Sequence, residues 1–108
     1  MISTHVLDTA RGRPAAGVPV ALERVAGDGA VIARAVTDAD GRVRELAPAS
    51  LAAGDYRLTF DTGAYFATLG VEGFYPLVTV VFSLRDPSQH HHVPLLLSPF
   101  GYTTYRGS

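Results

Sequence analysis

The sequence predicts an all-β sandwich of one domain, and three observations carry that expectation. Seven prolines and eleven glycines cut the chain at short, regular intervals. The pieces between them are rich in valine, leucine, threonine and aromatic residues, which suit a pleated, half-buried surface. Only one stretch has tolerable helix propensity throughout, and it is short. At 108 residues the chain holds a single hydrophobic core, so residues 1–108 form one domain with neither internal repeat nor linker.

The elements follow in order. A first strand is predicted over 3–7, with His5 midway between Thr4 and Val6, and the turn-rich stretch 9–14 ends it. A strand over 18–25 sets Val18, Val20 and Leu22 on one face and meets water at Glu23 and Arg24. Gly27, Asp28 and Gly29 turn the chain into a strand over 31–37, expected to pair antiparallel with the one before. Asp38-Ala39-Asp40-Gly41 leads into a short strand over 42–45, where Arg42 and Arg44 share one face and Val43 takes the other. Residues 48–54 read as a loop or a helical turn, and 56–60 alternates as a half-buried strand. The one helix falls within 62–74, about two turns long, with Gly70 as its C-terminal stop. Residues 77–84 make the most apolar strand, too apolar on both faces to be a solvated one. Asp86-Pro87-Ser88 turns into a strand over 90–98, and Pro99-Phe100-Gly101 into a last one over 102–106. Pro94 lacks a ladder donor, which predicts an edge or a bulge there. The total is eight strands.

Composition narrows the function. Hydrophobic residues make up 47% and charged residues 18%, apolar for so small a domain, and self-association is the natural outlet. Nine basic and ten acidic residues are scattered singly around a net charge of −1, so no basic stripe exists to neutralise phosphates and nucleic acid is not an expected partner. Every basic residue is arginine, which removes lysine nucleophiles and Schiff bases. With no cysteine there is no disulfide, no thiolate and no Cys-ligated zinc. Neither a signal-like start nor an apolar run near about 18 residues occurs, so the expectation is a cytoplasmic, soluble protein with no membrane partner.

The chemistry gathers between His90 and Ser108. Alternation turns His90, His92, Pro94 and Leu96 one way and His91, Val93, Leu95 and Leu97 the other, while Thr103 and Tyr105 share a face of the last strand. If the His92 face lies on the side of Tyr105, an imidazole and a phenol meet on an otherwise apolar sheet. Each residue also has an ordinary reading: a histidine at a strand end is usually solvated, and Arg42 and Arg44 after a turn are usually surface charges. Zinc could draw on His90, His92 and His5 with a fourth position open to water. No carboxylate is placed to join them, and no H-E-x-x-H or cysteine motif occurs, so no metal is expected. No G-x-S-x-G elbow exists, and Ser3, Ser50, Ser83, Ser88 and Ser98 carry no activating context. Asp40-Gly41 lacks the later ligands of a calcium loop. What remains is metal-free acid–base catalysis by histidine, with arginine to hold an anion or a developing oxyanion.

Three segments carry a family resemblance: Ser3-Thr4-His5-Val6-Leu7-Asp8-Thr9, Thr37-Asp38-Ala39-Asp40-Gly41-Arg42, and the run from His90-His91-His92-Val93-Pro94 to Tyr105-Arg106-Gly107-Ser108. The chain resembles the 5-hydroxyisourate hydrolases, the transthyretin-like enzymes of urate degradation, over residues 2–108. Tyr105-Arg106-Gly107-Ser108 is the most specific element, because it separates the hydrolases from true transthyretins. The resemblance implies a prealbumin-like sandwich of two four-stranded sheets with one short helix, assembled as a homotetramer with active sites between dimers. It also implies hydrolysis of a small purine-derived substrate without a cofactor. Carried over by position, the catalytic residues are His5, Arg42, His92, Tyr105 and Ser108, with Thr103 added for substrate binding. Either His92 or His5 is the general base. The family usually has tyrosine where this chain has His91, a position expected to face away from the site, and serine where it has Thr103, which keeps the hydroxyl. The rival reading is a transthyretin-like carrier that binds small ligands without turning them over.

Overall fold

The computed structural model describes residues 1–47 and 50–108. Pro48 and Ala49, part of the expected loop or helical turn over 48–54, lie outside the described residues. The elements are β1 (Ile2–Asp8), β2 (Arg13–Pro14), β3 (Pro19–Arg24), β4 (Val31–Val36), β5 (Arg42–Val43), β6 (Gly54–Phe60), α1 (Thr62–Thr68), β7 (Val78–Leu84), β8 (His91–Ser98) and β9 (Gly101–Thr104). They form two sheets, β2-β1-β8-β9 with β5 also on β1, and β4-β3-β6-β7. The sandwich is as expected. The extra strand is β2, which arises inside the predicted turn because Leu7 and Asp8 find pairing partners in Pro14 and Arg13. β2 and β5 lie end to end along one edge of β1, and β8 covers the other.

Alternation makes the core. Ile2 and Val6 of β1, Val20 and Leu22 of β3, Tyr56, Leu58 and Phe60 of β6, and Val93, Leu95 and Leu97 of β8 are buried between the sheets. Removing each leucine side chain from water contributes about 1.5–3 kcal/mol. The Leu46 N–H donates to the Ile2 carbonyl at 2.8 Å, which keeps the segment after β5 against β1.

Helix α1 starts where the Asp61 carboxylate accepts from the Ala64 N–H at 3.0 Å. It ends at Thr68, because Gly70 at φ +66° lets the Gly70 N–H bond to the Ala67 carbonyl and the Val71 N–H to the Phe66 carbonyl. The Tyr65 hydroxyl donates to the buried Asp8 carboxylate at 2.7 Å, tying the helix to the end of β1.

Three strand expectations need correction. β8 is not an edge: β1 pairs it in parallel from Ile2↔His91 to Asp8↔Leu97, and β9 covers its other side. Pro94 falls where the β8–β9 ladder breaks, between Leu95↔Thr104 and an isolated His92↔Gly107 bridge in the same register. That break also ends β9 at Thr104 rather than at 106; the Thr104 hydroxyl donates to the Pro94 carbonyl at 2.8 Å instead. β7 is an edge strand, paired to β6 alone, and Val81 stays 58% exposed on its outer face. No described helix is long and apolar enough to cross a membrane.

Candidate active site

With Thr4 and Val6 committed to the core, Ser3 and His5 point to the outer face of β1. The parallel register sets Ser3 beside His92, and the antiparallel register with β5 sets His5 beside Arg42. Ser3, His5, Arg42 and His92, far apart in sequence, thereby share one sheet face.

Arg42 is delivered by the turn before it. The Asp38 carboxylate accepts from the backbone N–H groups of Asp40 and Arg42, each at 2.9 Å. The Arg42 hydrogen bond is the main cause holding the Asp38 carboxyl below its usual value. Gly41 closes the turn at φ +75°, and any Cβ there would collide with the Val6 carbonyl oxygen. At the far side of the site the Gly107 N–H donates to the His92 carbonyl at 2.8 Å. A Cβ on Gly107 would stand 2.5 Å from His92 Cδ2, so the glycine lies directly against the imidazole.

These residues surround an open cavity of about 230 Å³, lined by Ser3, Arg42, Arg44, His90, His92 and Ser108 with the buried Thr4 and Val43. The volume is below the roughly 300–1,000 Å³ of drug-sized pockets and suits a small ring. Arg44 is paired with Asp40 at 3.7 Å, whereas no carboxylate among the described residues pairs with Arg42. Arg42 therefore keeps its charge for an anionic or polarised group. Burial first, then the positive charge of Arg42 and the neighbouring His90 and His5, push the His92 imidazole below its usual value of 6.5. The same causes favour the uncharged form of its ring.

The other expected residues are distributed unequally. His5 lies beside Arg42 but not on the cavity wall; its ring binds the Asp40 carbonyl at 2.9 Å. A carbonyl only accepts, so His5 Nε2 carries a proton, and Nδ1 has no hydrogen-bond partner among the described residues. Ser108 lines the cavity. Thr103 is exposed opposite Leu96, on the same outer face but away from the cavity. Tyr105 is 56% exposed and lines a separate hollow with Phe82, Val93 and Arg106, meeting the cavity only through His92, which borders both. His91 corrects the expectation of a solvated strand-end histidine: it is 4% exposed, facing inward, with Nδ1 3.0 Å from the Gln89 carbonyl.

One partner of the site, Ser3, is not legible as such in the sequence. Its Oγ lies 2.7 Å from His92 Nδ1 and 2.7 Å from His90 Nε2. The i, i+2 spacing of His90 and His92 was a visible signal, but Ser3 depends on a parallel β1–β8 register that no local pattern announces. The three imidazoles considered for zinc are thus engaged by Ser3 and Asp40, and no three His, Asp or Glu side chains among the described residues converge to hold an ion.

Comparison with known proteins places this geometry. A family model described as the HIUase/Transthyretin family matches residues 2–107. The chain is 48% identical to 5-hydroxyisourate hydrolase 2 of Rhizobium meliloti (strain 1021) over 99% of its own length and 95% of the relative's. Among solved structures it resembles Klebsiella pneumoniae 5-hydroxyisourate hydrolase, with a TM-score of 0.88 and 43% identity, covering 99% of this chain and 92% of that one. It also resembles sea bream transthyretin in complex with thyroxine, with a TM-score of 0.91 and 36% identity, covering 98% and 93%. Backbone shape therefore does not separate the hydrolase from the thyroxine-bound transthyretin.

Proposed function

The chain belongs to the HIUase/Transthyretin family, and from that membership together with its site we infer that it is an enzyme, a 5-hydroxyisourate hydrolase of urate degradation. The substrate is a small purine-derived ring, opened by water to 2-oxo-4-hydroxy-4-carboxy-5-ureidoimidazoline. One observation carries this reading over the carrier: Arg42, which has no carboxylate partner among the described residues, and His92, whose charged form is disfavoured, share the wall of one small polar cavity. A carrier of apolar ligands has no use for that pair.

In the proposed mechanism water attacks the ring carbonyl carbon while His92, through the nitrogen not bound to Ser3, takes the water proton. Negative charge growing on the carbonyl oxygen is met by the Arg42 guanidinium. As the carbon–nitrogen bond of the ring breaks, the imidazolium returns the proton to the departing nitrogen. Held by its Nε2–H on Asp40, His5 offers Nδ1 as an acceptor beside Arg42, and Ser108 stands at the cavity wall. No step draws on a cofactor.

The assembly we propose is a homotetramer. The cavity is open, and Phe100, Tyr102 and Tyr105 around β9 are exposed apolar groups that a second copy would cover. Thr103 and Tyr105, clear of the cavity in their own chain, then orient substrate at the joined sites.

The test is turnover at substoichiometric protein, followed by loss of freshly generated 5-hydroxyisourate above its spontaneous decay. A hydrolase consumes many equivalents per chain; a carrier sequesters one per site and stops. Exhaustive chelation is expected to leave the rate unchanged, and loss restored by zinc would contradict the metal-free mechanism.

A further inference from the structure

We infer that Ser3 and His90 are positioning residues that set the tautomer of His92, so that protonation of the exposed His90 switches the His92 base off. The inference rests on the reading of His92 as general base. It follows from a proton count. The Ser3 hydroxyl owns one proton, yet Oγ sits 2.7 Å from two imidazole nitrogens, His92 Nδ1 and His90 Nε2. Its two lone pairs could accept from both rings, but those two imidazoles are the only hydrogen-bond partners of Oγ among the described residues, so the hydroxyl proton goes to one ring and the other ring donates its own. Ser3 is only 4% exposed, which leaves little room for water to take either place.

Two arrangements satisfy the count. In the first, His92 donates Nδ1–H to Ser3 Oγ, and the Ser3 hydroxyl donates to His90 Nε2. His92 Nε2 is then bare and can take the proton of the attacking water. In the second, His90 donates Nε2–H to Ser3, the hydroxyl turns to donate to His92 Nδ1, and neutral His92 carries its proton on Nε2, where it cannot act as a base. A doubly protonated His90 has only donors, so it permits the second arrangement alone. The charged and titratable groups around His92 are Arg42 from β5, His5 from β1 and His90 ahead of β8. Arg44 and Ser108 complete the cavity wall, with Asp40 already paired to Arg44. None of these groups other than His90 touches Ser3 Oγ among the described residues.

The experiment is the pH dependence of kcat for wild type, His90→Gln, His90→Phe, Ser3→Ala and His92→Ala, with ¹⁵N NMR of the His92 ring. His90→Gln keeps an oxygen acceptor that does not become donor-only in acid, so its acid limb is expected to move to lower pH when each profile is scaled to its own maximum. His90→Phe leaves the Ser3 proton no acceptor except His92 Nδ1, and kcat should fall about tenfold or more at every pH. In wild type the His92 ring should pass from Nδ1–H to Nε2–H on acidification while still neutral, and in Ser3→Ala it should not. Coincident acid limbs in wild type, His90→Gln and Ser3→Ala, with His92→Ala inactive, would overturn the switch and leave the base assignment standing. Near-wild-type turnover in His92→Ala would overturn both. His90 is exposed, so its variants test the switch without disturbing the core.

Discussion

Arg42 and His92 each depend on a glycine that has no chemistry of its own. Gly41 lets the backbone turn pass under the Val6 carbonyl, and Gly107 leaves the space that the His92 ring occupies. Gly107→Ala should displace the imidazole and lower kcat by about 10²-fold, the usual effect of moving a catalytic group by an ångström, with a melting temperature close to wild type. Steady-state kinetics with a thermal melt will separate the two effects. Arg42→Ala should lower kcat by about 10²–10³-fold, as loss of an oxyanion partner does. Since His92 is held below 6.5 in the fold, the unfolded chain binds more protons there once the pH drops beneath that value. The stability it contributes is complete above about pH 6.5 and lost as pH falls through its lowered folded value. Wild type should therefore lose more thermal stability than His92→Gln between pH 7.5 and pH 5.5, and equal losses in melts at the two pH values would contradict this. At this scale the residue types were readable and their partners were not. His5, Arg42 and His92 stood out as histidines and an arginine at strand positions, whereas Ser3 looked like an ordinary serine because its neighbours lie 87 and 89 positions away.

Strands were legible wherever one face is buried, because burial imposes a period of two. Val18, Val20 and Leu22, and Tyr56, Leu58 and Phe60, are buried on the faces that alternation assigns them. Alternation says nothing about which strand lies next to which. Pro94 therefore suggested an edge, though β8 is interior and the proline sits in a gap of one ladder only. β7 misled in the opposite sense: its exposed Val81 looks like a core residue until the sheet order places the strand at an edge. Two substitutions test the elements. Leu95→Ala, at the fully buried centre of β8, should destabilise by about 2–5 kcal/mol. Tyr65→Phe removes the hydroxyl that ties α1 to the Asp8 carboxylate and should cost about 1.5–3 kcal/mol in denaturant unfolding. Turnover of the folded fraction should stay near wild type, because Asp8 lies at the opposite end of β1 from Ser3.

For the molecule as a whole, backbone shape alone does not tell hydrolase from carrier, and the proposed function rests on the side chains of the outer sheet face. A backbone matching sea bream transthyretin as closely as it matches a hydrolase makes that plain. The high apolar content and the exposed Phe100, Tyr102 and Val81 fit an assembly of copies. If the sites are completed between copies, activity per chain should fall on dilution in step with dissociation followed by light scattering; constant activity in dissociated chains would rule that completion out. The most direct measurement is the turnover of 5-hydroxyisourate by His92→Ala at a concentration where wild type is fully assembled. Correct folding would be verified by circular dichroism. A loss of kcat of about 10²-fold or more is expected, with the melting profile retained. Turnover close to wild type in a folded, assembled His92→Ala would contradict hydrolysis by this site.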